Sequence, residues 1–214
     1  MSYNTNPVAP YLPCDCSQSQ ASTSAIAIPI TVPPWVASTN TGGSVVVSND
    51  TFTANIANGA PSTAAGNLDR PWTEGPSVAL TCRVVMFGPV GPNLIARLFA
   101  FYGGWVVYAQ LSSDGSVKID GFGGVSGSVV PLNSGSFWLK LCIGMGFAYL
   151  YCAASDETDA SKVKWRYIGR IDPPFTQNSE GPSSIYMQGT IEGIAAPSDL
   201  SVVFSQLTRT NLIP

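Results

Sequence analysis

Apolar side chains in this sequence recur at every second position, in short runs cut by Gly, Pro, Asn and Asp. The clearest case is FWLKLCIGMGFAYLYCAAS. Phe137, Leu139, Leu141 and Ile143 form one row, Gly144-Met145-Gly146 reads as a turn, and Phe147, Tyr149 and Tyr151 form a second row. Successive side chains of a strand point to opposite faces, so each row offers a face to a core. Two rows joined by a short Gly-containing connection read as an antiparallel hairpin. A turn centred on Met145 sets Cys142 opposite Ala148. A polar loop from Ser155 to Ser161 then leads to a third run over 165–171, in which Trp165, Tyr167 and Gly169 share a face.

The same pattern fills the rest of the chain after residue 35. SVVVS at 44–48 and DTFTANI at 50–56 are short β-rich runs. The stretch 58–76 reads as a long loop of Gly, Ala, Ser and Pro that holds Asp69, Arg70, Trp72 and Glu74. SVALTCRVVMF at 77–87 alternates, with Val78, Leu80, Cys82 and Val84 on one face. GPVGPN is a turn, Gly103-Gly104 joins two further runs as a hairpin, and Asp114-Gly115 marks another turn. Runs at 183–194 and 199–208 close the chain. No segment carries a helical period. GFGGVSG at 121–127 has a partial G-x-G pattern, but no strand-to-helix context follows it, so it is not a phosphate loop. Many short strands with Gly/Pro turns predict an all-β, two-sheet antiparallel sandwich over 36–214. Residues 1–35 are rich in Pro, Ser, Thr, Gln and Ala, with Asp15 as the one charge. They read as an extended N-terminal arm that either lies on a neighbouring subunit or partner or wraps on its own domain.

Composition narrows the function classes. Charged residues make up 11% of 214 residues and the net charge is −3, against a usual charged share of about 25%. Ten basic side chains scattered singly do not make the concentrated cationic face that nucleic acid or an anionic membrane requires. There is no His, which removes Ser-His-Asp and Cys-His catalysis within the chain and the commonest metal ligand. Cys82, Cys142 and Cys152 lie inside strand-like runs and read as buried free thiols, while Cys14 and Cys16 sit in the arm. No apolar run approaches the roughly 20 residues of a membrane span. The opening MSYNTNPVAP lacks the features of a signal peptide, so synthesis in a host cytoplasm is expected.

Asp156, Glu157 and Asp159 form the one acidic cluster, and their loop reads as solvated rather than catalytic. Aromatic rings are the better candidates for chemistry, because a ring can stack on the C–H face of a sugar while polar neighbours take its hydroxyls. Trp72 beside Arg70 and Glu74, and Tyr102 with Trp105 at a hairpin turn, are the candidate carbohydrate-binding residues. Trp138, opposite in face to Phe137 and Leu139, reads as packing.

The order of features resembles the concanavalin A-like lectin/glucanase jelly-roll superfamily over 36–210. The similarity lies in the Gly-rich opening strands at 42–56 and the loop ending PWTEGPSVALTCRV. It continues through the centre ARLFAFYGGWVVYAQLSSDGSVKI, the paired strands FWLKLCIGMGFAYLYCAAS with WRYIG, and the ending IYMQGTIEGIAAPSDLSVVFSQLTRT. The resemblance implies two curved antiparallel sheets and a sugar-binding face or rim. The glycosidases of that fold carry an E-x-D-x-(x)-E set of carboxylates, which is absent here, and the Asp/Asn metal loop of legume-type lectins is not recognisable. No enzymatic activity, cofactor or metal is therefore expected. Sparse charge, a surface of small polar residues and the arm suggest a structural virion protein, most simply a bacteriophage capsid decoration, head-fibre or tail-associated jelly roll. It would self-associate into a homo-oligomer and dock on other virion proteins, with cell-surface glycans as a further partner. The alternative is a carbohydrate-binding module or adhesin acting at a cell surface.

Overall fold

The computed structural model describes residues 25–31, 34–72, 77–102, 105–121, 124–144, 147–172 and 183–211, with the backbone alone for Tyr102 and Trp105. They form fifteen strands: β1 (Ile26–Ala27), β2 (Val36–Thr39), β3 (Gly43–Ser48), β4 (Thr51–Ile56), β5 (Ala65–Pro71), β6 (Val78–Phe87), β7 (Leu94–Tyr102), β8 (Trp105–Ser112), β9 (Ser116–Asp120), β10 (Val125–Ser128), β11 (Ser136–Gly144), β12 (Phe147–Ala154), β13 (Arg166–Ile171), β14 (Ser184–Ile191) and β15 (Leu200–Asn211). A single 3-10 turn at Ala160–Lys162 is the one helical element among these residues. One sheet runs β13-β12-β11-β6-β15-β4-β3, with β1 added to β15, and the other runs β10-β9-β8-β7-β14-β5-β2. The pairings are antiparallel, and the two sheets make the jelly-roll sandwich that the alternation predicts.

The core lies between the sheets. Phe52 and Phe204 face each other across β4 and β15 with ring centroids 5.5 Å apart, both fully buried. From the seven-stranded sheet Leu68, Leu98, Val107, Ala109, Ile185 and Met187 point at them, none exposed. Each of these side chains except Ala109 contributes about 1.5–3 kcal/mol on leaving water. The β3–β4 hairpin turns through Asn49 and Asp50, both at positive φ, as a tight primed turn requires. A bulge between Ser205 and Thr208, with Gln206 at positive φ, brings Leu207 back into the core.

Several expected elements differ in detail. The stretch 58–76, read as a loop, contains β5, which pairs with both β14 and β2. AGNLDRP lacks an apolar alternation because Leu68 is its one large core side chain. Its glycine is there for fit: a Cβ on Gly66 would lie 2.8 Å from the Ala54 Cβ. The turn expected at Met145 lies outside the described residues, but Gly144 pairs with Phe147, so Cys142 pairs with Tyr149 and Ala148 with Ile143. The core row of β12 is consequently Ala148, Leu150 and Cys152, while Phe147, Tyr149 and Tyr151 stand on the outer face. In β13 a bulge opposite Leu150 and Tyr151 inserts Ile168 and separates Tyr167 from Gly169, so these two no longer share a face. Cys82, Cys142 and Cys152 are buried thiols outside any disulfide, as expected, and burial pushes the Cys82 thiol up to about 12.

Part of the stretch read as arm lies on the sandwich. Ile26 and Ala27 pair with Arg209 and Thr208, and Ile28, Ile30 and Trp35 enter the core. The Trp35 indole N–H donates to the Pro29 carbonyl at 2.8 Å.

Two stability predictions follow from this packing. A Cβ on Gly189 would lie 2.7 Å from both the Ala54 and Val202 Cβ atoms. Gly189→Val is expected to lower stability by at least about 1–3 kcal/mol, the usual penalty of overpacking, read from the urea midpoint. A chain begun at residue 25 is expected to exceed one begun at residue 36 by about 3 kcal/mol or more, the cost of losing a buried Trp. Equal urea midpoints would contradict the packing of Trp35.

Candidate functional site

The outer face of the seven-stranded sheet carries two rows of side chains that run across the strands. Along β7 the inward positions are Ala96, Leu98 and Ala100, so Arg97, Phe99 and Phe101 point outward. The same alternation turns Asn67 and Asp69 outward from β5, Tyr108 and Gln110 from β8, Lys118 and Asp120 from β9, and Tyr186 and Gln188 from β14. Strand register then sets these residues opposite one another. Lys118, Gln110, Arg97, Gln188, Asn67 and Ser38 occupy consecutive paired positions and form a polar row. Asp120, Tyr108, Phe99, Tyr186 and Asp69 form the row beside it: three aromatics with a carboxylate at each end.

Hydrogen bonds lock the polar row. Arg97 Nε donates to Gln110 Oε1 at 2.8 Å and Nη1 donates to Gln188 Oε1 at 3.0 Å. A guanidinium has donors only, so both amides must turn their oxygens toward it. Gln188 Nε2 is left to donate to Asn67 Oδ1 at 3.0 Å, and Asn67 Nδ2 donates to Ser38 Oγ at 3.3 Å. Arg97 Nη1 also pairs with Glu192 at 2.7 Å. Arg97, Gln188 and Glu192 border a pocket of about 430 Å³ that Asn40, Thr63 and Thr190 also line.

In the aromatic row Phe99 is central, its centroid 5.1 Å from Tyr108 and 5.0 Å from Tyr186. Phe101 extends the cluster at 5.9 Å from Phe99. All four rings are half-buried. Arg97 and Lys118 stand 5.8 and 5.7 Å from the Tyr108 centroid, and the Tyr108 hydroxyl donates to Asp120 Oδ2 at 3.1 Å. Burial raises the Tyr108 and Tyr186 hydroxyls above the usual phenol value, so both remain neutral donors around neutrality. Asp120 is held below its ordinary 3.8, first by the Gly121 N–H at 2.8 Å and further by Lys118 and Tyr108, against a smaller opposing effect of burial.

Of the residues proposed from sequence, Trp72 is corrected: at 6% exposure it belongs to the core and has no open ring face for a sugar. Its position after Pro71 continues the inward parity of Leu68. Arg70 lies over the Trp35 ring at 5.6 Å. Glu74 lies outside the described residues, as do the side chains of Tyr102 and Trp105, whose backbones pair at the end of the β7–β8 hairpin. The backbones of Trp72 and Tyr102 reach the same end of the sheet, where the Trp72 N–H bonds the Ser183 carbonyl and the Ser183 N–H bonds that of Phe101. Trp138 is packing, as expected: it is buried, and its indole N–H bonds the Glu157 carbonyl at 2.9 Å. Asp156, Glu157 and Asp159 are exposed, and Asp159 caps the 3-10 turn through Ser161. No three His, Cys, Asp or Glu side chains among the described residues are grouped to hold a metal ion, and no described helix is long and apolar enough to cross a membrane.

The rows themselves were not picked out from sequence. Their signal is the outward half of each alternation, as in ARLFAFY and YMQGT, where aromatic and polar residues interleave with small or aliphatic ones.

Because its carboxylate value is depressed, Asp120 is expected to stabilise the fold above pH 3.8, with that contribution lost as pH falls through its folded value. Urea midpoints measured on either side of pH 3.8 should show Asp120→Asn flattening this part of the acid limb. An unchanged slope would contradict the Gly121–Asp120–Tyr108 arrangement.

No family model and no curated protein matches the sequence. Solved structures do match. A legume lectin-like domain from Entamoeba histolytica aligns with a TM-score of 0.59 at 9% identity, covering 92% of this chain and 100% of that one. The lectin UEA-II complexed with galactose aligns at 0.55 and 12% identity over 88% and 99% of the two chains. The carbohydrate-binding module CBM66 from Bacillus subtilis aligns at 0.52 and 12% identity over 82% and 95%. Against a sialidase, at 0.56 and 8% identity, 83% of this chain is covered but only 17% of that one. The chain has the concanavalin A-like jelly-roll fold.

Proposed function

We propose that this chain is a non-enzymatic carbohydrate-binding module, and that it holds an extended glycan across the outer face of its seven-stranded sheet. The observation that carries this reading is the aromatic row Tyr108–Phe99–Tyr186 lying beside the polar row Gln110–Arg97–Gln188–Asn67. A pyranose ring has an apolar C–H face and a rim of hydroxyls, so it needs an aromatic surface with donors and acceptors alongside. From β9 to β5 the rows span four strand spacings, about 19 Å at roughly 4.8 Å each. That length suits an oligosaccharide better than a single sugar. The same span argues against a glycosidase. Asp69 and Asp120 sit at opposite ends of the row, far beyond the roughly 5–9.5 Å that separates paired catalytic carboxylates.

The sugar-binding names among the structural relatives agree with this proposal at the level of fold. Tyr102 and Trp105, at the adjoining strand ends, are proposed to extend the surface. The virion-assembly reading rests on composition. Its structural counterpart is a scatter of exposed apolar side chains, Val36 in β2, Val46 in β3, Phe87 in β6, and Val90 and Val130 in connections.

On a glycan array the full chain is expected to bind oligosaccharides. Phe99→Ala and Tyr186→Ala should each weaken the best ligand about tenfold or more, on the order of 1.4 kcal/mol, with circular dichroism unchanged. No binding, or binding indifferent to both substitutions, would overturn the proposal.

A further inference from the structure

The charges on this face are unevenly satisfied. Among the described residues it carries two cations, Arg97 and Lys118, and three carboxylates, Asp69, Asp120 and Glu192. Arg97 is paired with Glu192 at 2.7 Å, and Lys118 with Asp120 at 3.2 Å. Asp69 has no cation, which leaves the face one negative charge in excess. Its Oδ1 is buried without a hydrogen-bond donor, while the residue as a whole is partly exposed at the end of the aromatic row. A carboxylate oxygen that is buried without a donor has lost water without compensation. Its two neighbours on paired strands, Tyr186 and Val36, supply no bond to that oxygen. Tyr186 senses the charge: after burial and against Gln188, Asp69 adds to the rise of its hydroxyl.

We infer that the face selects neutral, hydroxyl-rich glycans over sulfated or uronate-bearing ones, with Asp69 as the specificity-determining acceptor beside the ring that stacks on Tyr186. This rests on the carbohydrate-binding reading above and adds the class of ligand. A sugar hydroxyl is a donor, and an ionised carboxylate accepts only. Rotation of the Asp69 carboxylate toward a hydroxyl on the open side satisfies an oxygen that the folded chain leaves unmet. A sulfate or uronate in the same place brings a second negative charge against the first, and like charges side by side select against a partner. Neither cation offsets this freely. Arg97 is already committed to Glu192 and to both Gln amides, and Lys118 to Asp120.

The test compares the full-length chain, Asp69→Asn and Phe99→Ala on an array of neutral, sulfated and uronate-containing oligosaccharides of matched length. The strongest ligands of the unaltered chain are expected to be neutral. Asp69→Asn, which keeps shape and removes charge, should weaken them about tenfold or more while raising the signal of the acidic set. A residue that only held the fold would move both sets in one direction, and that result overturns the inference. Preference of the unaltered chain for acidic ligands overturns it too. If Phe99→Ala abolishes that acidic binding, the face still binds glycans and only the charge selection fails. If no oligosaccharide binds, or Phe99→Ala changes nothing, the carbohydrate-binding reading falls with it.

Discussion

Two glycines on paired strands let the sheets of this sandwich close. Gly66 of β5 and Gly189 of β14 lie opposite each other, and beneath them sits Ala54 of β4, too near either one for another methyl group. Close packing of this kind leaves little freedom to slide, since a register shift of one residue would turn every side chain of the strand to the wrong face. The outward residues that flank the glycines are Asn67, Gln188 and Thr190, with Tyr186 and Asp69 two steps further along. The inner contact and the outer rows are therefore one arrangement seen from two sides. Core packing sets which β14 residue faces which β5 residue, and that pairing lines up the amides and rings into rows.

The rows in turn show how a face with few charges holds a defined surface. Arg97 fixes two Gln amides, and Gln188 in turn orients Asn67 and through it Ser38, so orientation propagates across five strands through donors and acceptors of known sense. On the aromatic side Phe99 holds Tyr108 and Tyr186 by ring contact, and Asp120 holds the Tyr108 hydroxyl. The side chains are thus ordered before any ligand arrives, which reduces the entropy cost of binding.

Much of this was legible in the alternation. Phe137, Leu139 and Leu141 face the core as their spacing dictates, and Val78, Leu80, Cys82 and Val84 do the same in β6. β5 was not legible, because its glycine and asparagine are set by contacts from Ala54 and Gln188 rather than by strand propensity. The β12 face differs from the expected one because pairing Gly144 with Phe147, one step from a register centred on Met145, reverses which side chains point inward. At the site, local sequence drew the eye to Trp72 among charged neighbours, yet parity with Leu68 buries it. The rows needed five strands at once: Arg97, Gln110 and Lys118 come from consecutive strands, Asn67 and Gln188 from distant runs, and only register brings them together.

The central claim is that the outer face of the seven-stranded sheet is where a glycan binds. A crystal structure of the full chain with its best array ligand tests this most directly. The account predicts sugar rings packed on Phe99 and Tyr186, running across the strands, with hydroxyls bonded to the Gln188 and Asn67 row. A sugar seated instead at the strand ends, or on the outer face of the other sheet over Tyr151 and Tyr167, would contradict it.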